Sequence, residues 1–213
     1  MDSLNFPYRL YLVTDEMACL GRDFFWVIEE AIKGGVDLVQ LREKDLSQKA
    51  FLEKAKRALD LCSRYEVPMI INDEVIVASE SKAFGLHLGQ ADENLSVAKM
   101  LLGQEYPIGL SLELLTQLAD KVVNEAWYLG VSPIYPTMTK PDTLSAWGLE
   151  GLEELRIMTD KPLVAIGGIK LENAYDILNA GADCLAVVSG ICSAKSPGRA
   201  AAQYYEIIDK AKN

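Results

Sequence analysis

The sequence predicts an α/β protein folded as a single-domain (β/α)8 barrel, the TIM-barrel class, with residues 1–213 forming one domain. Three observations lead there. Eight short apolar runs recur at regular intervals, amphipathic stretches of helical period separate them, and glycines fall where those helices would end. Eight units in 213 residues leave ~27 residues each, near the lower size limit of a closed barrel, so large insertions have no room. A competing open, doubly wound sheet would carry a GxGxxG turn after its first strand; Val13-Thr14-Asp15-Glu16 stands there instead.

The expected strands are 9–14, 36–41, 68–72, 84–88, 107–111, 127–131, 162–167 and 184–189, short and rich in Val, Ile and Leu, as strands covered on both faces should be. Helical patterns fill the intervals at 23–33, 48–65, 95–102, 114–123, 152–158, 172–179 and 197–210, with a weaker one at 73–81. Gly34-Gly35, Gly103 and Gly181 follow these patterns where a left-handed cap favours glycine.

Composition narrows the function classes. Half of the residues are apolar, 24% are charged and only 8 are proline, which suits one globular core and not disorder. With 21 basic against 31 acidic residues the net charge is −10, which disfavours nucleic acid and anionic membrane surfaces as partners. Cys19, Cys62, Cys184 and Cys192 lie in apolar segments without metal-finger spacing and read as reduced core thiols. No apolar run approaches the roughly 18 residues of a spanning helix. Asp2 precedes the first apolar run, unlike the basic start of a signal peptide, so the cytoplasm is the expected location. The one histidine, His87, rules out sites built on two imidazoles; inside Leu86-His87-Leu88 it reads as a packed, hydrogen-bonded structural residue. Chemistry must then rest on carboxylates, hydroxyls, Lys, Arg and backbone groups.

In a barrel the active site lies at the carboxyl ends of the strands, so residues just after each apolar run are informative. After the second run, strand alternation places Gln40, Arg42 and Lys44 on one side and Leu41 and Glu43 on the other. Two cations thus point the same way, unless they are an ordinary solvated charge run. The third and fourth runs end in Asn72-Asp73 and His87-Leu88-Gly89-Gln90-Ala91-Asp92. Asp73 and Asp92 suit Mg²⁺, which commonly takes one or two protein carboxylates and completes its shell with water and phosphate oxygens; each could equally cap the helix after it. The fifth run ends in Ser111. The sixth opens a long loop, Ser132-Pro133-Ile134-Tyr135-Pro136-Thr137-Met138-Thr139-Lys140, whose hydroxyls and ammonium suit a phosphorylated ligand if it is not simply a surface loop. Gly167-Gly168 and Val188-Ser189-Gly190 end the last two runs at the usual phosphate corner of the fold, although close packing would also select glycine.

Taken in order, Leu10-Tyr11-Leu12-Val13-Thr14-Asp15, 39–44, Ile71-Asn72-Asp73, 87–92, Gly109-Leu110-Ser111, 133–140, 148–152, 165–169 and 186–191 make a combination that resembles the thiamine-phosphate synthase (thiamine-phosphate pyrophosphorylase) family, over residues 10 to about 201. The resemblance implies an alkyl transferase that joins 4-amino-2-methyl-5-pyrimidinylmethyl diphosphate to a thiazole bearing a phosphorylated hydroxyethyl arm, or its carboxylated form, releasing thiamine phosphate and diphosphate. It assigns Gln40, Arg42, Lys44, Asn72, Ser111 and Lys140 to the pyrimidine diphosphate, with Arg42, Lys44, Ser111 and Lys140 catalytic. Asp73 and Asp92 would hold Mg²⁺, and Thr137, Thr139, Gly168, Val188 and Ser189 the thiazole phosphate. Three positions depart from the family pattern. Phe84 and Trp127 stand where it usually has Asp, at strand beginnings on the stability face of a barrel, and Ser132 replaces a glycine. Two alternatives would not need the metal and diphosphate residues, which are all present here. A thiazole tautomerase on the same barrel resembles proteins with a histidine soon after the fifth strand's serine, whereas Leu112-Glu113 follow Ser111 here. A non-catalytic thiazole-phosphate sensor would be expected to lack a metal or diphosphate residue.

Overall fold

The computed structural model describes residues 6–137 and 146–211. Eight parallel strands close into a barrel in sequence order, each bonded to the next and the last to the first. They are β1 (Leu10–Val13), β2 (Leu38–Leu41), β3 (Met69–Asn72), β4 (Gly85–Leu88), β5 (Ile108–Leu112), β6 (Tyr128–Val131), β7 (Leu163–Ile166) and β8 (Cys184–Val187). All eight fall inside the expected runs except that β5 extends one residue further, to Leu112. The helices are α1 (Phe24–Lys33), α2 (Gln48–Ser63), α3 (Val75–Ser81), α4 (Leu95–Leu102), α5 (Gly148–Met158), α6 (Leu171–Asn179), α7 (Ser189–Cys192) and α8 (Pro197–Ala211). No described helix is long and apolar enough to cross a membrane.

Strand alternation divides the core in two. Leu12, Val39, Leu41, Ile71, Leu86, Leu129 and Leu185 face the helices, while Tyr11, Val13, Leu38, Ile70, Tyr128, Val164, Cys184 and Ala186 fill the barrel. Helix starts carry side-chain caps: Asp23 accepts from Trp26 N–H (2.7 Å), Ser47 from Ala50 N–H and Asn94 from Ser96 N–H. One helix expectation fails. Residues 114–123 form two 3-10 turns, Leu115–Ala119 and Lys121–Glu125, because Asp120 adopts an extended conformation (ψ 128°) between them and its carbonyl starts the second turn by accepting from Val123 N–H. The eighth run also ends early, since Ser189 opens α7 instead of closing β8.

Gly35, Gly103 and Gly181 take positive φ, whereas Gly34 remains right-handed at φ −83°. Gly34 is small for a different reason: a Cβ there would sit 2.1 Å from the Gly198 carbonyl oxygen, so α1 and α8 meet backbone to backbone. At the amino-terminal end of the barrel, Phe6, Tyr8, Phe84 and Trp127 form a cluster of tilted and edge-on rings beneath Tyr128. Phe84 and Trp127 therefore sit on the stability face, away from the strand carboxyl ends, as expected.

Candidate active site

A cavity of about 810 Å³ opens at the carboxyl ends of the strands. Gln40, Arg42 and Lys44 all line it, and alternation sends Glu43 the other way, to an ion pair with Lys54 (2.5 Å) that also reaches Glu16 (2.5 Å). Lys54 thus ties the ends of β1 and β2 from the helix side and leaves Arg42 and Lys44 facing the cavity. Thr14, which sequence reasoning did not single out, fixes the Arg42 backbone by accepting its N–H at 3.1 Å.

Asp73 and Asp92 line the same cavity. Neither aspartate caps a helix. The residue before α3 is Glu74, without a side-chain cap, and Asn94 caps α4. Asp73 instead takes a left-handed backbone (φ 64°), a conformation that Asp tolerates better than most residues. Asp92 accepts from Gly89 N–H at 2.6 Å. The two carboxyl groups stand close enough for Asp92 to act on the titration of Asp73. Burial, then hydrogen bonding with Asp92 and its like charge, push Asp73 up to about 7, against the opposing pull of Arg42. Such a pair either shares a proton or accepts a cation. Among the described residues no group of three His, Cys, Asp or Glu forms a closed metal cage. An oxygen pair with open positions fits an ion that keeps waters and phosphate oxygens in its shell.

Buried Asn72 and Ser111 also line the cavity. His87 is packed and hydrogen-bonded as expected, but its partners belong to the cavity: Nδ1 lies 2.8 Å from Tyr128 OH and Nε2 2.9 Å from Ser111 Oγ. Its ring stacks on Tyr128 at 5.5 Å. Tyr128 OH lies 3.1 Å from Tyr11 OH, which accepts from Gln40 Nε2 at 2.7 Å. Burial pushes both phenols well above their ordinary range, so they remain O–H groups at neutral pH. Tyr11 and Tyr128 were missed in the sequence. The available signal was Gly109 and Gly130 within strands: a Cβ on Gly109 would meet Tyr128 Cζ at 2.1 Å, and one on Gly130 would meet His87 Cε1 at 2.9 Å.

Opposite, Gly167, Gly168, Val188, Ser189 and Thr137 line the cavity. The glycines are needed for packing. Ile134 and Tyr135 N–H groups bond to Ile166 and Gly167 carbonyls (2.9 and 3.1 Å), and a Cβ on Gly168 would lie 2.7 Å from Tyr135 Cβ. Both readings of this corner are thereby compatible: close packing fixes the turn whose backbone faces the cavity. Ser132 is buried and not at positive φ, so serine fits its backbone. Thr139 and Lys140 lie outside the described residues.

A barrel whose mouth gathers guanidinium, ammonium, hydroxyl and paired carboxyl groups around one cavity defines an enzyme for small phosphorylated ligands. The chain belongs to the thiamine monophosphate synthase family, whose model matches residues 10–191. A thiamine-phosphate synthase of Albidiferax ferrireducens is 48% identical over 201 residues, covering 94% of this chain and 92% of the relative. One from Clostridium acetobutylicum is 42% identical over 206 residues, covering 97% of each. A solved thiamine phosphate pyrophosphorylase from Pyrococcus furiosus shares the fold with a TM-score of 0.88 at 29% identity, covering 100% of this chain and 98% of its own.

Proposed function

We propose that this chain is a cytoplasmic, Mg²⁺-dependent single-domain transferase that couples 4-amino-2-methyl-5-pyrimidinylmethyl diphosphate with thiazole phosphate, giving thiamine phosphate and diphosphate. The observation that carries the reading is convergence: Gln40, Arg42, Lys44, Asn72, Asp73, Asp92 and Ser111 line one side of the cavity that Gly168, Val188 and Ser189 close on the other. Two phosphorylated ligands can therefore face each other across one space. Four buried thiols suit a reducing compartment.

The residues' work follows from the chemistry of the substrates. The bond from the exocyclic methylene to the diphosphate oxygen breaks first, the electron pair leaving with diphosphate, and the pyrimidine amino group spreads the positive charge left on carbon. The thiazole nitrogen then forms the C–N bond with its own lone pair, so no side chain need remove a proton from the nucleophile. Arg42, Lys44 and Lys140 neutralise the charge that grows on the leaving oxygens, and Ser111 supplies a hydrogen bond to them. Asn72 and Gln40 orient the pyrimidine, while the β7 and β8 turns with Thr137 and Thr139 anchor the thiazole arm so that the two rings approach in line. Asp73 and Asp92 would hold Mg²⁺, which supplies further charge neutralisation to the diphosphate. Incubation of the purified chain with both substrates and Mg²⁺ is expected to yield thiamine phosphate, and chelation is expected to abolish it. Thiazole isomerisation alone, or tight thiazole-phosphate binding without product, would refute the reading.

A further inference from the structure

We propose that Tyr11, Tyr128 and His87 are positioning residues: a one-directional hydrogen-bond chain running from Gln40 through the barrel interior that makes Ser111 a donor toward the leaving group. The chain is continuous, Gln40 Nε2 to Tyr11 OH (2.7 Å), Tyr11 OH to Tyr128 OH (3.1 Å), Tyr128 OH to His87 Nδ1 (2.8 Å) and His87 Nε2 to Ser111 Oγ (2.9 Å). It crosses five of the eight strands and joins two groups otherwise assigned separately to the pyrimidine diphosphate.

Its direction is the one that gives each buried phenol proton an acceptor. An amide N–H only donates, so the Gln40 end fixes Tyr11 as acceptor. The Tyr11 proton then goes to the Tyr128 oxygen, and the Tyr128 proton goes to His87 Nδ1. A neutral imidazole that accepts at Nδ1 carries its proton on Nε2, where it donates to Ser111 Oγ. The serine proton is thereby turned away from His87 and toward the cavity that Ser111 lines. In the opposite direction His87 would accept from Ser111, the serine hydroxyl would present only lone pairs to an anion, and Tyr11, accepting from both Gln40 and Tyr128, would have no partner along the chain for its own buried proton. That arrangement would repel the leaving oxygens. The geometry is held by packing: Tyr128 rests on the aromatic floor and on Gly109, and His87 stacks on Tyr128 beside Gly130.

That the donor serves a diphosphate rests on the function proposed above; the chain itself can be tested without substrate. His87 is the only histidine, so the untagged protein labelled with ¹⁵N-histidine gives a single imidazole in a two-bond ¹H–¹⁵N correlation spectrum. At pH 8 the wild type is expected to show a protonated Nε2 and an unprotonated Nδ1. Tyr128→Phe, which keeps the ring and removes the relay hydroxyl, is expected to mix or reverse that pattern. It should lower kcat about 5- to 20-fold, with the KM for thiazole phosphate within about twofold of wild type. Tyr11→Phe tests the next link by the same two measurements. A wild-type spectrum with the proton on Nδ1, or a Tyr128→Phe spectrum identical to wild type, would overturn the proposal. Product formation by a wild type with the wrong tautomer removes the relay and leaves the function standing; the expected tautomer without product does the reverse.

Discussion

Substituting Gly168 by alanine tests whether the phosphate corner is built by backbone crowding. Gly168 has φ 66°, and an added Cβ would meet Tyr135 Cβ at 2.7 Å and the Tyr135 carbonyl oxygen at 2.9 Å. A left-handed alanine costs about 1–2 kcal/mol, and forcing a methyl group against backbone costs about 1–3 kcal/mol more, so the loss should be about 2–5 kcal/mol. Gly21 is the control: it has φ 78° and nothing within 4 Å of its added Cβ, so Gly21→Ala should lose only about 1–2 kcal/mol. Urea unfolding measures both, and the difference isolates the crowding. Because Gly167 and Gly168 hold the 134–135 segment against the end of β7, Gly168→Ala should also raise the KM for thiazole phosphate more than that for the pyrimidine diphosphate. Equal destabilisation by the two substitutions, together with an unchanged thiazole KM, would refute the reasoning.

Lys140→Ala should lower kcat more than thiazole affinity; steady-state kinetics showing intact turnover with weakened thiazole binding would contradict its assignment to the leaving group. Asp73 is raised from 3.8 to about 7 in the folded chain, so without divalent ions its stabilising contribution is full below about pH 4 and is lost as the pH rises through about 7. Urea midpoints in chelator at pH 5 and pH 8, compared between wild type and Asp73→Asn, should show this loss in the wild type alone, with Mg²⁺ restoring stability at pH 8. Trp127→Ala removes part of the aromatic floor and should cost about 1–3 kcal/mol in denaturant unfolding, with thiazole-phosphate KM unaltered.

The barrel was legible because each strand is covered on both faces and so appears as a nearly pure apolar run, while the helices keep one polar side. The same alternation located Gln40, Arg42 and Lys44. What failed at 114–123 was local competition: Asp120 satisfies its backbone in an extended conformation, and no apolar periodicity outweighs it. The roles of Asp73 and Asp92 were undecidable from their neighbours, since Asp92, Glu93 and Asn94 offer several polar residues before α4 and the left-handed turn at Asp73 has no sequence signature of its own. His87 was read as structural from its apolar neighbours. Its function depends on which residues stand beside it across the sheet, Asn72 and Gly109 in register and Ser111 and Tyr128 by side-chain contact, and pairing of that kind is fixed only when the barrel closes.

The backbone contact between Gly34 and Gly198 joins the first helix of the ring to the last. A chain emerging from the ribosome can assemble its earlier units as they appear, yet the clasp needs Gly198, which belongs to α8. Completion of the ring, and with it the assembled mouth, therefore waits for α8, and loss of that helix would open the seam between the first unit and the last.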